Sequence, residues 1–217
     1  MPELRQDPIT RDWVIINPER AQRPQDGAVP HDIRACPFCP GNESSTPAAV
    51  DSLEEAGDWS VRAVPNRFPA LRADARAELA AGRLPEDWRR QAGYGHHEVI
   101  VEAREHTATL DTLPVEQVRR VLEMYARRFR ALAGRDGRVR QVVLFRNQGA
   151  RAGTSLTHPH AQIVATPVVS PETRRRMIGE VEYFDATGAC GLCRVLGHEL
   201  AGAARVVHAS PRFVTLT

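Results

Sequence analysis

The stretch 145–166, FRNQGARAGTSLTHPHAQIVAT, constrains the fold more than any other part of the chain. It leaves an apolar strand ending in Val142-Val143-Leu144 and crosses a loop that contains Gly149 and Gly153. It then enters a second strand through Thr157-His158-Pro159-His160-Ala161-Gln162. Residues i, i+2 and i+4 of a strand share a face, so the pattern predicts His158, His160 and Gln162 together on one side. Ala161, Ile163 and Ala165 then face the other way and need an apolar covering layer. Pro159 has no N–H to give to a ladder, which marks a strand start or an edge.

The residue types on the polar face permit a narrow chemistry. An imidazole can attack phosphorus or ligate a metal, and the partner of its other ring nitrogen decides which. Two histidines at i and i+2 can divide those tasks. The loop before them offers Ser155 and glycines that let backbone N–H groups approach a ligand, a composition suited to cradling an anion.

The four cysteines form two CxxC pairs, Cys36/Cys39 and Cys190/Cys193, a spacing that favours metal over disulfide in a cytoplasmic protein. A lone CxxC is ambiguous between zinc and a redox pair. The redox pair follows a strand and opens a helix, whereas Pro40-Gly41-Asn42 breaks any helix directly after Cys39. Zinc is the better reading there, and a tetrahedral site then needs two ligands from elsewhere.

The blocks Phe145–Ala150, Ala152–Ser155 and His158–Gln162 resemble the signature of the galactose-1-phosphate uridylyltransferases, a branch of the histidine-triad superfamily. That branch has Gln, here Gln162, where triad hydrolases carry a third histidine. Cys36-Pro37-Phe38-Cys39 with Gly41 and Glu43, Arg20-Ala21-Gln22-Arg23-Pro24, and the segment Asn66–Leu71 extend the likeness across nearly the whole chain. The resemblance implies a nucleotidyltransferase of galactose and nucleotide-sugar metabolism that works by ping-pong through a nucleotidyl-histidine. His160 is the implied nucleophile, with Gln162, Ser155 and the backbone at Gly153 bonding the phosphoryl oxygens. The resemblance also implies Zn2+ held by Cys36, Cys39, His106 and His158, with Asn66 and Asn147 serving the nucleotide pocket. By the same resemblance Arg20 and Arg23 are expected to reach phosphate across the interface of a homodimer, a task suited to forked guanidinium groups. The implied substrates are a nucleotide sugar, UDP-glucose or similar, and a sugar 1-phosphate. Arg67 stands where the best-known uridylyltransferases carry an acidic residue, which opens the base preference. An adenylyltransferase or nucleotide-sugar phosphorylase of the same family is therefore the alternative, and a zinc-stabilised nucleotide-binding module without turnover is a third reading.

The expected fold is α+β and histidine-triad-like: a mostly antiparallel sheet with one helix packed across it. Strands are expected around Asp12–Asn17, Trp59–Val64 and His97–Glu102, with His96 and His97 read as loop or strand-start residues. Pro114–Ala133 is the clearest helix, its apolar face read as Val115, Val118, Leu122, Tyr125, Phe129 and Leu132. Arg119, Arg120, Arg127, Arg128 and Arg130 are read as its solvated face. Later in the chain Cys190-Gly191-Leu192-Cys193 precedes a Val-rich strand and Arg212-Phe213, echoing the order from Cys36 to Phe68. The expectation is a complete first repeat over 1–169 and the start of a second, truncated one over 170–217. Cys190 and Cys193 are then expected to lack partners, with only His198 or His208 at hand. The strand edge left at Phe213–Thr217 favours self-association.

The 217 residues suit one or two domains, and a formal charge of +2 gives no reason to expect a nucleic-acid partner. No apolar run approaches the roughly 18 residues of a membrane span, and no basic-then-apolar leader opens the chain. A cytoplasmic protein without a membrane partner is expected.

Overall fold

A computed structural model describes residues 1–22, 36–75, 88–152, 154 and 156–217. Arg23, Gly153 and Ser155 lie outside the described residues. The chain divides into two compact units, Met1–Val169 and Ser170–Thr217.

The first unit is built on a five-stranded sheet. Its strands are β3 (Asp51–Glu55), β4 (Asp58–Pro65), β6 (His96–Val101), β7 (Gln141–Phe145) and β8 (His160–Thr166), in the order β3-β4-β6-β8-β7 with every pair antiparallel. A second sheet joins β2 (Trp13–Ile16), β1 (Glu3–Gln6) and β5 (Arg90–Ala92). Strand β3 was not foreseen: its sequence, Asp51-Ser52-Leu53-Glu54-Glu55, is too acidic to read as a strand, yet an edge position tolerates such charge. Gly95, at φ +155°, lets β6 begin where it does, because a Cβ there would lie 2.3 Å from the Ala165 carbonyl oxygen.

Alternation along the strands gives the sheet two different faces. Val61, Ala63, Ile100, Ala161, Ile163 and Ala165 meet Val121, Met124 and Leu132 of α1 (Val115–Ala133). Burial of each Val, Ile, Met or Leu side chain among them contributes about 1.5–3 kcal/mol. Phe38, Cys36 and Cys39 pack on Val64, Val99 and Val101 of the opposite face.

The helix buries only part of its expected face: Leu132 is fully buried and Tyr125 packs on the core, but the stripe is shifted. Its buried residues are Gln117, Val121, Met124, Arg128 and Leu132, whereas Val115 and Leu122 are 87% and 58% exposed. Two polar residues disguise the true stripe, and both are satisfied by the sheet. The Gln117 amide donates to the carbonyls of Ser60 at 3.0 Å and Glu102 at 2.7 Å, and Arg128 forks onto Glu98 with two bonds of 2.9 Å. Arg120 and Arg127 are not idle surface charge either, since they bond Glu55 and Asp51 of the edge strand.

In the second unit α2 (Pro171–Thr187) opens as expected, with Ser170 Oγ accepting the Thr173 N–H and Pro171 in the first turn. Cys190–Cys193 does not form a knuckle turn but starts α3 (Gly191–Gly202), after which β9 (Val206–Ala209) pairs antiparallel with β10 (Val214–Leu216). Among the described residues no helix is long and apolar enough to cross a membrane.

Candidate active site and metal centre

Local chain geometry first shapes the Cys36–Cys39 turn. The Cys39 N–H donates to the Cys36 carbonyl at 3.2 Å, and Gly41, at φ +88°, takes a left-handed conformation that favours glycine. Glu43 ties this turn to β4, accepting from the Gly41 N–H at 2.9 Å and from the Trp59 indole N–H at 2.7 Å. The indole N–H holds the Glu43 carboxyl below its usual range. From β4 itself the buried Arg62 donates to the Pro37 carbonyl at 3.0 Å.

The sheet delivers two histidines to the turn. His106 follows β6, and its Nδ1 lies 3.2 Å from Cys39 Sγ. His158 is fully buried just before β8, which starts at His160 rather than at the expected Thr157. Its Nε2–H donates to the Ala103 carbonyl at 2.8 Å, so its lone pair is on Nδ1, 3.6 Å from Cys39 Sγ. One ligand atom from each of Cys36, Cys39, His106 and His158 lies within 4.8 Å of all the others. Zinc bonds of about 2.0 Å to nitrogen and 2.3 Å to sulfur give tetrahedron edges of roughly 3.3–3.8 Å, so the four residues fit such an ion. Burial pushes the His158 imidazole down to about 4, and burial with the neighbouring Cys36 pushes the Cys39 thiol up to about 11. A cation among them would reverse the second effect by binding the thiolate.

His160 and Gln162 share the face opposite α1. The Nδ1–H of His160 donates to the His158 carbonyl at 2.8 Å, which puts the lone pair of the ring on Nε2. The ring packs on Phe38, with centroids 5.3 Å apart, so the cysteine turn forms one wall beside it. Gln162 lies two strand positions on, about 7 Å away at ~3.3 Å per residue. Its Oε1 is 2.9 Å from Nε2 of His97, whose Nδ1 accepts the Ala70 N–H at 2.9 Å.

The remaining expected site residues take varied places. Asn147 follows β7, which ends with Phe145 opposite Gln162, so the loop begins at the His160 end of β8. Arg146 at the start of that loop is anchored to the fully buried Glu102, its Nε 2.8 Å from Oε2, while Tyr125 donates its hydroxyl to Oε1. Asn66 makes a local turn, its Oδ1 accepting the Phe68 N–H at 2.8 Å, and its Nδ2 lies 3.1 Å from His97 Nε2. It lines a cleft of about 470 Å³ together with Arg67, Leu71, His96 and His97. Arg20 belongs to the short 3-10 helix Pro18–Gln22, and its neighbours reach the same region: Asn17 Nδ2 donates to the Pro69 carbonyl at 2.9 Å, and Glu19 lies 3.6 Å from Arg72. Sequence reasoning missed His97 and Glu102. His97 shares the strand period of Val99 and Val101, but only the β6–β8 register sets it beside Gln162.

A five-stranded antiparallel sheet backed by one helix, with His160 and Gln162 on the face away from that helix and a Cys2His2 cluster beside the start of β8, defines an α+β protein of the histidine-triad type. The family model described as galactose-1-phosphate uridyl transferase, N-terminal domain, matches residues 1–171, and the chain belongs to that family. Among curated relatives, the chain is 34% identical to an ADP-glucose phosphorylase of Arabidopsis thaliana over 88% of its length and 56% of the relative's. It is 29% identical to a galactose-1-phosphate uridylyltransferase of Thermotoga maritima over 100% of its length and 62% of the relative's. Among solved structures, a uridylyltransferase aligns with TM-score 0.71 and 28% identity over 99% of this chain and 60% of that one. An Arabidopsis thaliana ADP-glucose phosphorylase with bound ADP-glucose aligns with TM-score 0.66 and 31% identity over 100% and 63%. The chain thus spans less than two thirds of the length of these relatives.

Proposed function

We propose that this chain transfers a nucleotidyl group through His160. The Nε2 lone pair attacks the α-phosphorus of a nucleotide sugar, a P–N bond forms, and the P–O bond to the departing sugar 1-phosphate breaks. An acceptor phosphate then attacks the same phosphorus and releases the histidine, which makes the kinetics ping-pong. One observation carries this reading: the bond from His160 Nδ1–H to the His158 carbonyl fixes the nucleophilic tautomer inside a buried site. The Gln162 amide, with Ser155 and the backbone at Gly153, would bond the phosphoryl oxygens as negative charge redistributes. Asn66 and Asn147 would hold the nucleotide, and Arg20 and Arg23 would reach phosphate in a homodimer.

Cys36, Cys39, His106 and His158 would hold zinc in a closed, structural site. Bound there, the ion would serve as a clamp on the cysteine turn and the His158 ring. The chain's own device is the His158–Pro159–His160 segment, in which one residue gives its ring to the cluster and its carbonyl to the nucleophile. Holding His158 therefore holds His160. Uridine and adenine donors both remain in play, because the relatives include enzymes named for each and Arg67 lines the cleft beside Asn66.

Incubation with UDP-glucose and, separately, ADP-glucose tests the reading by intact mass. A covalent nucleotidyl adduct that disappears on adding a sugar 1-phosphate or inorganic phosphate is the expected result, and the better donor identifies the base. Binding of both donors without any adduct would instead favour a nucleotide-binding module.

A further inference from the structure

The strand register places His97 diagonally across from Gln162. Val99 pairs with Gln162 and His97 with Val164, and all the odd-numbered positions of β6 face away from α1. Residues on such a diagonal are within reach of long side chains. The contacts of the ring then dictate its tautomer. The Ala70 N–H points at Nδ1 from 2.9 Å, so Nδ1 must be the acceptor and the proton sits on Nε2. That proton meets Gln162 Oε1 at 2.9 Å.

A glutamine carboxamide is two-faced: turned one way it offers N–H to a ligand, and turned the other way it offers a carbonyl oxygen that repels a phosphoryl group. We propose that His97 is a positioning residue that decides this orientation. By capturing Oε1 it turns the Nε2 amide of Gln162 outward, and no acceptor for that amide is found among the described residues although Gln162 is only 9% exposed. The same proton on His97 serves Asn66. Its Nδ2 lies 3.1 Å from the protonated nitrogen and cannot donate to it, while its Oδ1 is already held by the Phe68 N–H. The hydrogens of Asn66 are thus kept for another acceptor. One imidazole, fixed by the Ala70 backbone, thereby presents two amide donors, one on the floor of the sheet and one in the cleft. Since Asn66, Arg67 and Pro69 line that cleft and Ala70 supports the ring, a nucleotide seated there and the Gln162 hydrogen-bond donor on β8 are set by a single residue.

This inference rests on the nucleotidyl-transfer reading for its kinetic part, and its geometric part is read separately. In the ligand-free protein, 15N-resolved NMR of the imidazoles is expected to show His97 in the Nε2–H tautomer, and His97→Ala is expected to shift the Gln162 side-chain amide signals. An Nδ1–H tautomer, or Gln162 amide signals unmoved by the substitution, would overturn the proposal whether or not the protein forms an adduct. In single-turnover adduct formation at saturating donor, His97→Ala is expected to slow the rate by roughly tenfold to a hundredfold, up to the effect of losing one oxyanion donor, with little change in the half-saturating concentration. Gln162→Ala combined with His97→Ala is expected to be scarcely slower than Gln162→Ala alone, because both act through one amide. His97→Gln, which can put an Nε2–H in the place of the imidazole's, is expected to restore much of the rate. Multiplying effects in the double variant would overturn the proposal, as would a wild-type rate in His97→Ala. Equal rate losses in His97→Ala and His97→Gln, both with lowered melting temperature, would assign His97 to the fold alone.

Discussion

Cys36–Cys39 and Cys190–Cys193 have the same spacing and differ in what surrounds them. The first pair is buried in a turn that Pro40 and Gly41 keep from becoming helix, and two histidines from distant parts of the chain converge on it. The second pair is exposed at the start of α3, where the Cys190 sulfur caps the helix by accepting the Cys193 N–H at 3.5 Å. That bond lowers the Cys190 thiol from its usual value, and the neighbouring Cys190 raises Cys193. Among the described residues no set of three ligands includes either one. Two thiolates make half of a tetrahedron. The other half is a property of the sheet, which carries His106 past the end of β6 and His158 to the start of β8.

The sharpest way to break this contrast is to count metal. One equivalent of zinc per chain is expected, lost in Cys36→Ser or Cys39→Ser and retained in Cys190→Ser and Cys193→Ser. Structural zinc is worth about 10–16 kcal/mol in small peptide domains, so chelation should loosen the cysteine turn and the strand ends that it ties together and lower the melting temperature of the first unit. Mass spectrometry of the native protein showing no metal, or metal that follows Cys190, would reverse the assignment.

The next largest effect separates the two histidines. His160→Asn is expected to abolish the nucleotidyl adduct with metal content unchanged, whereas His158→Ala should lose metal and adduct together. An adduct that survives in His160→Asn, or that peptide mapping finds on His158, would exchange their roles. Gln162→Ala should slow adduct formation by about 10²–10³ without altering metal content, as for loss of one oxyanion donor.

Thiol labelling sharpens the comparison at lower amplitude. With limiting iodoacetamide, Cys190 should alkylate first, because it is exposed and its thiol is lowered, while Cys36 and Cys39 should react only after chelation. Uniform labelling of all four would count against a closed first site. The smallest effect belongs to Glu43, whose folded-state carboxyl is held below its unfolded value by the Trp59 indole. Its contribution is present above about pH 4.5 and disappears as pH falls through the folded value. Glu43→Gln should therefore flatten the acid limb of a melting-temperature profile, and a limb of unchanged slope would show that the bond contributes nothing.

The period-two pattern of β8 was legible because Ala161, Ile163 and Ala165 are uniformly apolar and His160 and Gln162 are not, so one alternation states both faces. The Cys36 turn was legible too, since Pro and Gly act through local backbone sterics that need no distant partner. Cap chemistry at Ser170-Pro171 is of the same local kind. The buried side of α1 was legible only in part, at Tyr125 and Leu132. Gln117 and Arg128 look like solvent-facing residues until Ser60, Glu102 and Glu98 are placed opposite them, and a buried polar group is acceptable only where its partners exist.

Composition and short-range pattern alone determined that this chain would form strands and a helix, that one strand would carry a polar working face, and that one cysteine pair would lie in a turn. Tertiary structure decided which cysteine pair gains histidines, which side of α1 is buried and why His97 matters. The physical reason is the range of the interactions. Caps, turns and alternation act within a few residues, whereas metal ligation, buried ion pairs and the His97–Gln162 bond depend on strand register, which joins residues 65 positions apart.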